Sequence, residues 1–170
     1  MKRQQSKFKV GDTIFYPSAG VGLIEGVEDV FIGGRCDPCF VIRIAETRMT
    51  IKIPQAKVQK SGLRPLLNSR KLKELFRVLS AEGNRRVTGG NWTDRCRELN
   101  RKINSGSCLE LGEVVRDLMR WKQQSGLSFE ESMLLRRASN YLANELATVQ
   151  GIPTEAAIDR IRSHVEVCAA

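Results

Sequence analysis

The chain has 170 residues, 41% of them hydrophobic, and a formal net charge of +9. That length fits one medium domain or two small ones, and that composition excludes wholesale disorder. No apolar run approaches the roughly 18–20 residues of a membrane-spanning helix, and the basic N-terminus MKRQQSKFKVGD has no apolar stretch behind it to form a secretory signal, so a cytoplasmic location is expected. An excess of this size favours polyanionic partners such as nucleic acid.

The first 66 residues read as β structure. FKVGDTIFYP alternates around Val10, Ile14 and Tyr16, and Val21, Leu23 and Ile24 follow the Gly-rich turn SAGVG. FIGGRCDPCF reads as a hairpin loop between VEDVFI and FVIRIA, and MTIKIP gives a further strand ending at Pro54. Short strands separated by frequent turn signals predict a small β-barrel.

From residue 67 the period changes. SRKLKELFRVLS places Leu72, Leu75, Phe76 and Leu79 on one helical face. AEGNRRVTGGN is a polar connection. NWTDRCRELNRKI then puts Trp92, Cys96, Leu99 and Ile103 on one stripe, with Asn91 and Asp94 as its N-terminal cap and Gly106 as its stop. ELGEVVRDLMRWKQQSG repeats Leu111, Val114, Val115, Leu118 and Met119 at helical spacing, and Gly126 ends it. Ser128 and Glu131 form a capping box that opens a helix through Met133, Leu134, Ala138, Tyr141, Leu142 and Leu146. Gly151 and Pro153 break the chain, and a last helix from about Thr154 has Ile158, Ile161 and Val165 as its inner face. The expected fold is α+β in two domains: a β-barrel over residues 1–66, then an all-α bundle of about five helices over residues 67–170.

The charge is unevenly spread. Between Arg70 and Lys102 there are ten basic and four acidic residues, whereas Ile103 to Ala170 holds seven and nine. Such clustering is what a phosphate-facing surface needs. Arg97 and Arg101, four apart, lie opposite the apolar stripe of their helix, with Arg95 and Lys102 flanking it. Arg136 and Arg137 add a second basic point. Solvated surface charge is the plainer reading of each. Trp92, at the start of its helix, has two readings: an anchor in the core, or an apolar wedge against base pairs of the kind minor-groove proteins use.

The five cysteines are an odd number and read as reduced thiols. Cys36 and Cys39 form a lone C-x-x-C with no second pair to complete a zinc site, and the single histidine, His164, is far along the chain. No nucleophile motif, phosphate loop or metal set is present, so neither an enzyme nor a cofactor is expected. A stand-alone RNA- or ribosome-binding module is the alternative, with Phe15, Tyr16, Phe31 and Phe40 as candidate stacking aromatics.

FKVGDTIFYPSAGVGLIEGVE resembles the opening of the CarD/CdnL family and of the polymerase-interacting module of transcription-repair coupling factors. MTIKIP, NWTDR, EVVRDL, the GLS turn and NEL also resemble CarD/CdnL segments, in the same order, from about Phe8 to Leu146. The resemblance implies a Tudor-like first domain that docks on the β-subunit lobe of RNA polymerase, with Arg48, Met49, Ile51 and Lys52 at that contact. It implies a helical domain that binds the upstream edge of the promoter bubble and stabilises the open complex, with Trp92 as wedge and Arg95, Arg97 and Arg137 on the DNA backbone; Arg101 joins them as a DNA-backbone candidate by its spacing from Arg97. Lys52 stands where relatives carry Arg, Val30 where some carry a cation, and Asp94 likewise. A monomer is expected, with no membrane association.

Overall fold

The computed structural model describes residues 7–83 and 91–166. The basic residues 1–6, and most of the AEGNRRVTGGN connection, at residues 84–90, lie outside the described residues. The chain forms two compact units, Met1–Leu66 and Leu67–Ala170. As expected, strands come first and helices after.

The first unit is a five-stranded antiparallel sheet: β1 (Thr13–Tyr16), β2 (Gly20–Ile32), β3 (Arg35–Ile44), β4 (Thr50–Pro54) and β5 (Arg64–Pro65), in the order β4-β3-β2-β1-β5. Phe8, Ile14, Ile24, Phe40, Ile42, Ile44, Ile53, Val58 and Leu63 make its core. Between β4 at one end and β5 at the other, the chain passes through a short 3-10 turn at Gln55–Lys57 and contributes Val58 and Leu63 to that core. The alternation expected around Val10, Ile14 and Tyr16 is replaced by a strand starting at Thr13, with Ile14 and Phe15 both buried and Val10 exposed.

β2 and β3 pair from Gly22↔Ile44 to Ile32↔Arg35 and turn through Gly33 and Gly34 alone. Both glycines have positive φ, 57° and 83°, which is the requirement of a two-residue I′ hairpin. CDPC is therefore not in a loop. Cys36 opposes Phe31 and Cys39 opposes Glu28, both within β3. Pro38 is tolerated there because β4 reaches only to Cys39, leaving β3 with one neighbouring strand beyond that point.

The second unit holds α1 (Ser69–Ser80), α2 (Trp92–Asn104), α3 (Cys108–Ser125), α4 (Phe129–Gln150) and α5 (Thr154–Glu166). Side-chain oxygens of Asn68, Asn91, Ser107 and Ser128 cap α1 to α4, and Ser128 and Glu131 form the reciprocal capping box read from sequence. α3 is central and packs on each of the other four helices. Gly112 makes the closest approach possible: a Cβ there would lie 2.7 Å from Leu75 Cδ1 on α1. Most expected inner residues are buried, including Leu75, Leu79, Leu111, Val114, Val115, Leu118, Leu142, Leu146, Ile161 and Val165. Met133 is an exception at 51% exposure, and Met119 and Ile158 are only partly covered.

Helix ends in this unit are closed by buried polar groups. Arg116 Nη1 donates to Val78 O at 3.0 Å, and Arg120 Nη1 donates to Ala81 O at 2.7 Å. The two arginines supply donors to carbonyls at the end of α1, adding to the bond that Val78 O accepts from Ala81 N. Arg120 Nη2 reaches Val165 O on α5, and Glu145, fully buried, accepts from Leu67 N at 3.1 Å.

Candidate functional site

In the helical unit the candidate residues gather on α2 and its seam with α4. The apolar stripe of α2 runs from sealed to open: Ile103 is 1% exposed, Leu99 6%, Cys96 partly covered and Trp92 43%. The stripe is thus core at its C-terminal end and leaves the core at its first residue. Trp92 is neither sealed in the bundle nor free of it. The Asn91 side chain accepts from Thr93 N at 3.1 Å and starts the helix there.

The cations around it differ in what they touch. Arg97 is the most exposed, at 75%, and pairs with Asp94 at 3.2 Å. Arg101 makes a two-pronged contact to Glu98, both bonds at 2.9 Å, and a third bond to Glu110 on α3 at 3.0 Å. The Arg101 hydrogen bonds hold the Glu98 carboxyl below its ordinary pKa, and hydrogen bonds from Ser105 and Arg101 do the same for Glu110. Lys102 bonds to Glu113 at 2.7 Å. Arg95 is only 20% exposed and donates from Nε to Glu131 at 2.9 Å. Arg137 Nη2 donates to Asn100 at 2.7 Å.

Arg97 and Arg101 therefore share the solvent side of α2, while Arg95 and Arg137 turn into the α2–α4 seam. The Arg97–Asp94 pair is highly exposed and worth little, so Arg97 can exchange its carboxylate for a phosphate at small cost, whereas Arg101 is held by three bonds to two carboxylates and is tied more firmly. Arg95 is in a different position, because its carboxylate partner is fully buried. The Ser128–Glu131 pattern marks Glu131 only as a cap. Its second contact, to Arg95, carries no periodic signal.

In the sheet unit, β4 is an end strand and pairs only with β3 among the described residues. Its side chains alternate. Ile51 packs against the core, whereas Lys52 lies on the outer face and donates to Glu28 of β2. That bond passes over Val41 and Cys39 of β3, which are buried on this face beneath it. Met49, before the strand, is 56% exposed, and Arg48 takes a positive φ of 56°. Beside β4 is a cleft of about 430 Å³ lined in part by Tyr16, Ile51, Pro54, Lys52, Lys57 and Lys60. Of the four aromatics considered for stacking, Phe15 and Phe40 are buried, Tyr16 packs against the core, and Phe31 alone is largely exposed, at 77%.

The C-x-x-C pair is split by the strand. Residues three apart on a strand point to opposite faces: Cys36 is exposed and Cys39 buried. Their Cα atoms stand about 10 Å apart at the usual strand rise, beyond disulfide reach. Among the described residues no group of three or more His, Cys, Asp or Glu could hold a metal ion. No described helix is long and apolar enough to cross a membrane.

Two family models match the chain: one described as "CarD-like/TRCF RID domain" over residues 8–67, and one described as "CarD, C-terminal domain" over residues 74–162. A protein of Bacillus subtilis (strain 168), named "Putative transcription factor YdeB", is 34% identical over 145 residues, covering 85% of this chain and 94% of that relative.

Proposed function

The chain belongs to the CarD family of RNA-polymerase-interacting transcription regulators, and from that premise we propose that it holds the polymerase with its sheet unit and props the upstream edge of the promoter bubble with Trp92. The sheet serves as a Tudor-like module for the β-subunit lobe. The outer edge of β4 offers backbone groups to which a strand of the lobe can add, and Met49 and Lys52 supply side-chain contacts next to it. Arg48 lies at the turn into that edge. Ile51 supports the strand from the core side.

The helical unit is the DNA-binding half. Trp92 enters the minor groove at the junction of duplex and melted DNA, and Arg97 trades its carboxylate for a backbone phosphate beside Arg101. Docking on polymerase raises the effective concentration of this unit at the promoter, so strong intrinsic DNA affinity is unnecessary. A side chain that fits only the distorted junction favours the open complex by its differential affinity. About 1.4 kcal/mol of such preference is tenfold in the open population. The protein acts as a monomer in this scheme.

The observation that carries this reading is the 43% exposure of Trp92 at the open end of a stripe whose other end, Leu99 and Ile103, is buried. Burial of Phe15 and Phe40 favours it over a stand-alone RNA- or ribosome-binding module, which needs those rings on the surface. The test pairs two variants. Trp92→Ala should retain polymerase binding and shorten open-complex lifetime, whereas Lys52→Glu should weaken capture by the isolated β lobe. Equal lifetimes with wild type and Trp92→Ala would refute the wedge.

A further inference from the structure

We propose that Arg95 is a positioning residue for Trp92, acting through Glu131, and is not a phosphate contact. The inference rests on the reading of Trp92 as the DNA-contacting wedge. Glu131 sits at the third position of α4 and is fully buried. Its Oε2 accepts from Ser128 N at 2.9 Å, closing the first turn of α4, and its Oε1 accepts from Arg95 Nε at 2.9 Å. One carboxylate thus fastens the first turns of two helices.

Arg95 follows Trp92 by three residues, so the two side chains lie on neighbouring parts of one face of α2. Whatever fixes the Arg95 guanidinium fixes the turn from which the indole projects. A second tie, Arg137 to Asn100 at 2.7 Å, lies further along the same seam, so α2 is pinned to α4 at two points and cannot swivel about one. The alternative role asks Arg95 to swing out to a phosphate. That movement would leave the Glu131 carboxylate buried without this cation, which is disfavoured in a way that releasing the exposed pair of Arg97 is not. A wedge held in its working direction before DNA arrives also loses less side-chain freedom on binding.

The test uses the full chain in a Trp121→Phe background, which leaves Trp92 as the only indole. Arg95→Met and Glu131→Gln are compared for acrylamide quenching of Trp92, open-complex lifetime with polymerase, and salt dependence of promoter binding. Both variants should change the quenching in free protein and shorten the lifetime by the same factor as Trp92→Ala. Neither should shorten it further when combined with Trp92→Ala, and neither should alter the salt slope. A phosphate contact gives the opposite pattern: Glu131→Gln frees Arg95 and preserves or lengthens the lifetime, while Arg95→Met lowers the slope by about 0.9. That pattern, or unchanged quenching in folded variants, overturns the proposal.

Thermal melts check folding. Should either variant melt early, Arg95→Lys decides the matter. It keeps the charge a phosphate needs but loses the guanidinium geometry at Glu131, so a lifetime equal to wild type overturns the pairing and a shortened one supports it. If Trp92→Ala itself leaves the lifetime unchanged, the wedge fails, and the quenching still decides whether the pair sets the indole.

Discussion

Replacing Arg120 with Met should cost the helical unit far more than a surface arginine would. Arg120 is 9% exposed and donates to Ala81 O at 2.7 Å and to Val165 O at 3.3 Å, tying the end of α1 to the last turn of α5. Met keeps most of the aliphatic stem and removes both bonds. Each hydrogen bond from a charged donor contributes about 1.5–3 kcal/mol, and the buried bond to Val165 O leaves a carbonyl whose loss of this donor costs about 1–3 kcal/mol, whereas the carbonyl of exposed Ala81 can turn to water. Part of that is offset because the guanidinium is no longer held out of water, its Nε being buried without a partner among the described residues. A net loss of about 2–4 kcal/mol follows. In a domain of about 100 residues each kcal/mol moves the melting temperature by roughly 4–8 °C, giving a fall on the order of 10–25 °C.

The assay is urea unfolding followed by tryptophan emission. Both tryptophans, Trp92 and Trp121, lie in the Leu67–Ala170 unit, so the signal reports that unit and not the sheet. Arg162→Met is the control: its pair with Asp159 is 55% and 72% exposed, and its loss should change stability by less than about 0.5 kcal/mol. Equal losses for the two variants would refute the assignment of Arg120 as the buried tie between helix ends.

Two further outcomes are expected. Cys36 should react with a thiol reagent in the folded protein and Cys39 should not. Cys39 is fully covered, and burial, reinforced by Asp37, pushes its thiol pKa up, which slows thiolate chemistry; a Cys36–Cys39 disulfide after mild oxidation, found by peptide mass mapping, would contradict the strand geometry. Glu98 and Glu110 should titrate below the ordinary glutamate value of about 4.3. Because their folded pKa values are lowered, their contribution is complete at neutral pH and is lost as pH falls through the lowered values. Carboxyl chemical shifts followed against pH would test this, and midpoints at or above the ordinary value would remove the Arg101 tie between α2 and α3.

The order of strands and helices, a hairpin between VEDVFI and FVIRIA, the Ser128–Glu131 box and most of the inner faces of α1 to α5 were legible in the residues alone. Each depends on neighbours within a turn or a strand, and local rules hold at that range. The CDPC segment misled for the same reason. Glycines and a proline nearby read as loop, and only the register shows that β4 stops at Cys39 and leaves Pro38 room within β3. The candidate site was half legible. The stripe on α2 marks which face is apolar but not where cover ends, and it is packing that shields Ile103 while leaving Trp92 half open.

Charge shows the division most clearly. Sequence by itself determined that basic residues cluster from Arg70 to Lys102 and that Arg97 and Arg101 share a face. Tertiary structure decided what each basic residue meets: Arg95 pairs with Glu131, 36 residues away, and, further along the chain, Arg116 and Arg120 are buried against carbonyls at the end of α1. A polar residue in a helix pattern reads as surface because periodicity records only the apolar face. Whether a second helix brings a carboxylate or a bare carbonyl to meet it depends on how helices distant in sequence pack, and a one-dimensional pattern does not contain that.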